Sequence, residues 1–331
     1  MKLILQREVS LPVRTKLHFL PKIGLSVLFS CILFSCSQQN STSNTSKKDK
    51  PQVVATSTII ANLAGEVGGD EIQVIGILKP GTDPHVYEPV PQDTRVMEEA
   101  DLVLYNGYNL EPGLIKLMKS AAGKTRQFAV GEVVKPLQLT EKSKGTVPDP
   151  HVWGDVKNAI AMTNAIRDAL IELSLEDKEE FTKNAQKLTE ELKQLDGWIK
   201  AQIQTIPANK RKLVTTHDAF QYYGSAYGIP IAGTLIGIST EEQPSAQTVK
   251  RLVEEVKKIG VPAIFAETTI NPALIKTVAQ EAGVKLAPRE LYSDSIGAPG
   301  SPGDTYIKMM QSNTETVVDA LGGKRVPNVS R

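Results

Sequence analysis

The chain has 331 residues, 40% of them hydrophobic and 23% charged, with a formal net charge of +1. This composition supplies a sizeable core and excludes a disordered chain, and the near-neutral charge gives no overall attraction to nucleic acid. The length allows one large domain or two lobes.

The charge is unevenly placed. Lys2, Arg7, Arg14, Lys16 and Lys22 stand against Glu8 alone within residues 1–35, which leaves the remainder near −3. An apolar run over residues 23–34 follows, short of the roughly 20 residues that a membrane-spanning helix needs. A basic stretch, a short apolar stretch and small residues make up a secretory leader, here residues 1–35. Leu33-Phe34-Ser35-Cys36 resembles the lipobox of bacterial lipoproteins, which implies a lipid on Cys36. Residues 36–52 are polar and form a flexible tether, because they bury too little surface to offset their ordering entropy. Leader, Cys36 and tether together describe an extracytoplasmic body anchored to a membrane by lipid. Cys31 and Cys36 are the only cysteines, so the body has neither a disulfide nor a thiolate.

From residue 53 onward, short Val- and Ile-rich runs alternate with helical patterns. Strands are expected at Val53–Ile60, Ile72–Leu78, Asp101–Gly107 and Gln127–Val134, with helices at Ala61–Val67, Thr94–Ala100, Pro112–Ala122 and Asp155–Leu173. Leu175–Ile206 then reads as one helix of about 45 Å, with Phe181, Leu188, Leu192, Leu195, Trp198 and Ile199 along its apolar stripe. The alternation resumes with strands at Lys212–Thr216, Ile229–Ile238, Pro262–Glu267 and Val284–Leu291. Helices are expected at Ala219–Tyr227, Ser245–Ile259, Pro272–Ala282 and Thr305–Leu321. The fold class is α/β: two lobes, over 53–174 and 207–331, each with a mostly parallel sheet flanked by helices, joined by one long rigid backbone helix over 175–206. Ligands of such sheets bind beyond the carboxyl ends of the strands, here between the lobes.

Beyond the leader's His18, the chain contains three histidines, all in loops or at strand ends. Two share a local pattern, Asp83-Pro84-His85 and Asp149-Pro150-His151; His217 ends an apolar run and opens a helix. Imidazole is the commonest neutral ligand of borderline dications, so three imidazoles in one place point to a metal. Proline before each of the first two stiffens the loop that aims the ring. An aspartate two residues earlier accepts the ring N–H or caps the following turn. A closed site needs a fourth ligand. Two acids at expected strand ends qualify, Glu267 and Asp294, and spacing alone leaves both open.

Taken together, the lipobox, DPHVYEP (83–89), DPHVW (149–153), THDAFQYYGSAYG (216–228), GISTEEQPSAQ (237–247), FAET (265–268) and LYSDSIG (291–297) resemble the TroA/ZnuA-type (cluster A-I) metal-binding solute-binding proteins of bacterial ABC transporters. The resemblance spans nearly all of residues 53–323. It implies metal ligation by His85, His151, His217 and Asp294, with Glu267 in a supporting role behind them. Position 217 carries Glu in some relatives. The cargo implied is zinc or manganese; the His-rich loop of many zinc-specific relatives has no counterpart in residues 86–93. The implied protein is a monomer, not an enzyme, that hands its ion to a membrane permease of an ABC transporter. The competing readings are a zinc-dependent hydrolase or lyase with a three-histidine site, and a surface adhesin.

Overall fold

The computed structural model describes residues 50–120, 125–141 and 145–327. The expected leader, the lipid acceptor Cys36 and residues 37–49 of the expected tether lie outside the described residues. The first half is built on four parallel strands: β1 (Gln52–Ala55), β2 (Gln73–Gly76), β3 (Leu102–Tyr105) and β4 (Arg126–Ala129), in the order β2-β1-β3-β4. Around them lie helices α1 (Thr58–Gly68), α2 (Pro91–Glu99), α3 (Pro112–Ser120) and α4 (Val156–Leu173). The central strands are apolar on both faces because both faces are covered. Val53, Leu102 and Leu104 face one core, while Val54 and Val103 face another with Leu78, Met97, Leu114 and Met118.

β1 stops at Ala55, short of the expected Ile60. Ser57 is the reason: its hydroxyl accepts the amide of Ile60 at 3.2 Å and caps α1, so the β-branched residues Thr58, Ile59 and Ile60 enter the helix and are buried there. β1 also takes in Gln52, the last residue expected in the tether. The run expected as a strand to Val134 ends at Ala129 and turns into a short 3-10 segment, Gly131–Val133. An antiparallel hairpin not expected from the sequence, β5 (Gln138–Glu141) with β6 (Gly145–Pro148), leads directly into the His151 loop.

Helix α5 (Lys178–Gln204) has 27 residues, about 40 Å of axial length. It begins after a 3-10 turn at Leu175–Asp177 and ends before Pro207, so it is slightly shorter than expected. Phe181, Ala185, Leu188, Leu192, Leu195, Ile199 and Ile203 recur every three or four residues, and all are buried.

The second half repeats the parallel pattern with shorter strands: β7 (Leu213–Thr215), β8 (Ile231–Thr234), β9 (Ala263–Ile264) and β10 (Lys285–Leu286), alternating with α6 (Gln221–Tyr227), α7 (Ala246–Ile259), α8 (Ala273–Ala282) and α9 (Tyr306–Ala320). β7 pairs with β8 and β9 with β10. The Phe265 amide donates to Val214 O at 2.9 Å and links the two pairs. A further isolated parallel bridge joins Glu267 to Leu291. The architecture is two α/β lobes connected by a long helix.

The lobes also share apolar packing. One core contains Val53, Leu102 and Ile166 from the first half, the buried face of α5, and Tyr223, Phe265, Leu291 and Tyr306 from the second. Large relative rotation would have to open this close-packed region. Replacing Leu192 with Ala is therefore expected to cost about 2–5 kcal/mol in denaturant unfolding. Replacing Lys193, which is exposed on the opposite face of α5, should stay within about 0.5 kcal/mol.

Candidate metal centre

Every expected site residue sits beyond the carboxyl end of a strand or hairpin. His85 follows β2, His151 follows β6, His217 follows β7, Glu267 follows β9 and Asp294 follows β10. The structure brings His85, His151, His217 and Asp294 together, one donor atom from each lying within 4.8 Å of all the others, and all four are buried. Glu267 stands behind His217.

The orientation of two rings is set from behind. Asp149 Oδ1 accepts from His151 Nδ1 at 2.7 Å and also from the His151 amide at 3.0 Å. Glu267 Oε2 lies 2.5 Å from His217 Nδ1, and its Oε1 accepts the His217 amide at 2.8 Å. A carboxylate only accepts, so the proton sits on Nδ1 of each ring and Nε2 faces the centre. There His85 Nε2 and His151 Nε2 lie 3.2 Å apart, His151 Nε2 is 3.4 Å from Asp294 Oδ1, and His217 Nε2 is 3.2 Å from Asp294 Oδ2. A tetrahedron with metal–ligand bonds of about 2.0–2.1 Å has edges of about 3.3–3.4 Å. The buried His217 Nε2 and both Asp294 oxygens have no aligned hydrogen-bond partner. His85 Nε2 lies 4.0 Å from Asp294 Oδ2, and three imidazoles and a carboxylate converging at these spacings form a centre able to hold a dication.

Electrostatics agree. Asp149, Glu267 and Asp294 are buried carboxylates whose ionic partners are these imidazoles. Burial alone would raise the Asp294 pKa, yet His217, His151 and His85 hold it well below the usual carboxylate range. Burial alone would lower that of His217, yet Glu267 and Asp294 hold it well above the usual imidazole range. The pocket favours positive charge.

Comparison with known proteins agrees with this chemistry. The family model for ZnuA, "Zinc-uptake complex component A periplasmic", matches residues 53–320. The chain belongs to this family. It is 36% identical over 312 residues to the metal ABC transporter substrate-binding lipoprotein SsaB of Streptococcus sanguinis, covering 92% of this chain and 99% of that relative. It is 34% identical to the manganese ABC transporter substrate-binding lipoprotein PsaA of Streptococcus mitis, covering 91% and 99%. Among solved structures it resembles the periplasmic zinc binding protein TroA from Treponema pallidum, with a TM-score of 0.78, 33% identity, and coverage of 82% and 99%. These relatives are named as substrate-binding or zinc-binding proteins, and the names include both manganese and zinc.

Behind the centre of this ZnuA-family chain lies a polar brace with no motif signal. Asn106, just after β3, donates its side-chain amide to Pro150 O at 2.9 Å, on the residue preceding His151. Glu111 Oε1 accepts from the Asn106 amide at 2.7 Å and the Thr56 hydroxyl at 2.7 Å, tying together the ends of β1 and β3. All three residues are buried. Only a buried Asn and Glu next to strand ends would have hinted at this brace, and burial is not visible in sequence. Burial pushes the Glu111 carboxyl up to about 7. The folded protein therefore holds an extra proton between about pH 4.5 and 7, so Glu111 makes stability fall as pH rises through that window. The effect is on the order of 3 kcal/mol. Unfolding of chelator-treated protein from pH 4.5 to 8 should show this slope, and Glu111→Gln should flatten it relative to the parent.

Proposed function

We propose that the chain is the extracytoplasmic, lipid-anchored receptor of an ABC-type uptake system, that it captures zinc or manganese, and that it passes the ion to a membrane permease. In this reading His85, His151, His217 and Asp294 are the metal ligands, and Glu267 and Asp149 orient the rings. Residues 1–35 are the leader and Cys36 carries the lipid. Residues 53–174 and 207–331 are the two lobes, with 175–206 as the connecting helix. The observation that carries the reading is the meeting of His85 Nε2 and His151 Nε2 at 3.2 Å, beside an Asp294 carboxylate whose oxygens have no aligned hydrogen bond. With their Nδ1–H groups given to Asp149 and Glu267, His151 and His217 turn acceptor Nε2 atoms toward the Asp294 carboxylate, and a cation satisfies all three. Among the described residues no helix is long and apolar enough to cross a membrane.

A fourth protein ligand supports storage over hydrolysis, because a catalytic zinc keeps a position for water or substrate. Softness and tetrahedral preference suit three nitrogens and a carboxylate to zinc, while the manganese-named relatives keep manganese in consideration.

Elemental analysis of protein purified without chelator, with competition titrations of zinc against manganese, tests the cargo. His151→Ala should abolish tight binding, and Glu267→Gln should weaken it by roughly 10–100-fold. Protons compete for imidazole, so affinity should drop below about pH 6.5; equal affinity at pH 5 and 7.5 would refute histidine ligation. The shared core and α5 restrict loading to small lobe tilts, so scattering profiles of free and loaded protein should nearly superimpose. Uptake of labelled metal by cells lacking this protein, with and without the restored gene, tests delivery.

A further inference from the structure

The two Asp-Pro-His segments are the same in sequence and different in wiring. Asp149 turns one oxygen onto its own histidine ring and backbone. Asp83 accepts the His85 amide on Oδ1 at 2.9 Å, and its Oδ2 accepts from the Thr240 hydroxyl at 2.6 Å, 157 residues away in the other lobe. Thr240 belongs to the GISTEEQPSAQ segment, to which the binding chemistry assigns no role. Thr240 is 7% exposed and Asp83 half-buried, so the bond is partly sheltered from competing water.

The same loop is held from the second lobe at another point. Lys79 to Thr82 make a tight turn closed by Thr82 N to Lys79 O at 3.0 Å, with Pro80 second and Gly81 third at φ 81°, the arrangement of a type II turn. The Gly81 amide donates to Ser295 Oγ at 2.8 Å, and Ser295 follows Asp294 directly. Ser295 Oγ also lies 3.1 Å from Thr58 Oγ1. The His85 loop is thus fastened to the second lobe at two points, Gly81 and Asp83, both preceding His85.

His85 is also the outermost of the four. It is 3% exposed, against 0% for His151 and His217 and 1% for Asp294. It borders a pocket of about 450 Å³, lined by Tyr105, Glu132 and Pro150 from one lobe and by Ile238 and Ser239 from the other. Ile238 and Ser239 immediately precede Thr240. The pocket therefore leads to the metal centre at the edge where the His85 loop meets the Thr240 loop.

We propose that Thr240 is a positioning residue, whose hydrogen bond to Asp83 holds the His85 loop against the second lobe and sets the rate at which the metal leaves past His85. The inference rests on the ligand assignment above. A hydrogen bond to a charged group contributes about 1.5–3 kcal/mol, and each 1.4 kcal/mol is tenfold. Loss of the clasp should therefore raise the dissociation rate roughly 10–100-fold, with a much smaller change in association.

The test is stopped-flow measurement on the chain loaded with zinc or with manganese, using a chelator chase for release and a metal jump for binding. Thr240→Val removes the hydroxyl and keeps the shape; Thr240→Ser keeps the hydroxyl. Faster release in Thr240→Val and near-parental release in Thr240→Ser are expected. Release from Thr240→Val within twofold of the parent overturns the clasp, as does equal slowing of association. Should Thr240→Val fold poorly, Thr240→Ala measured beside Ser239→Ala makes the same comparison. Parental binding that His151→Ala leaves intact would instead overturn the ligand assignment, so the two failures are distinguishable.

Discussion

Three carboxylates and three imidazoles are buried within a few ångströms of one another where the lobes meet. Burying ionised groups is costly unless they are paired. Here the pairing is arranged in two layers. Asp149 and Glu267 take the outer ring nitrogens, which leaves the inner nitrogens turned toward Asp294. The inner layer has more lone pairs than protons to share, and a dication resolves that imbalance. The Glu267 and Asp294 carboxylates hold the His217 ring above the usual imidazole range.

The rest of the fold serves to hold this arrangement. Parallel strands end in loops that point the same way, so ligands distant in the chain meet beyond one edge of the sheets. The Asn106–Glu111–Thr56 brace stiffens the first lobe's edge beneath His151. Trp153 spans the lobes, its indole N–H donating to Ser293 O at 3.1 Å, next to Asp294. The core shared along α5 then keeps the two edges facing each other.

The loops differ in how tightly they are bound to one lobe. His151 is held from within its own lobe by Asp149 and Asn106, and His217 from its own lobe by Glu267. The His85 loop depends on contacts from across the gap, through Thr240 and Ser295. The backbone beside His151 is also held across the gap, since Tyr222 donates its hydroxyl to Asp149 O at 2.9 Å, but the Asp149 carboxylate itself stays on its own histidine.

Much of this was legible in the sequence. The alternation of apolar runs and helical patterns carries the fold class, and the stripe from Phe181 to Ile203 carries the long helix, because periodicity reports directly on which face is buried. Three histidines within residues 53–331, two in stiffened Asp-Pro-His loops, carry the chemistry. Local competition set the element limits: Ser57 ended β1 early, and the pairing of 138–141 with 145–148 had no strong apolar alternation to announce it. Only the tertiary structure separated Asp294 from Glu267 by geometry, since both follow strands and their roles depend on which oxygen meets which ring nitrogen. It alone also distinguished the two Asp-Pro-His copies. Identical local sequence gives identical local turns, but the free oxygen of Asp83 finds Thr240 only because the folded lobes bring residues 157 positions apart within hydrogen-bonding distance.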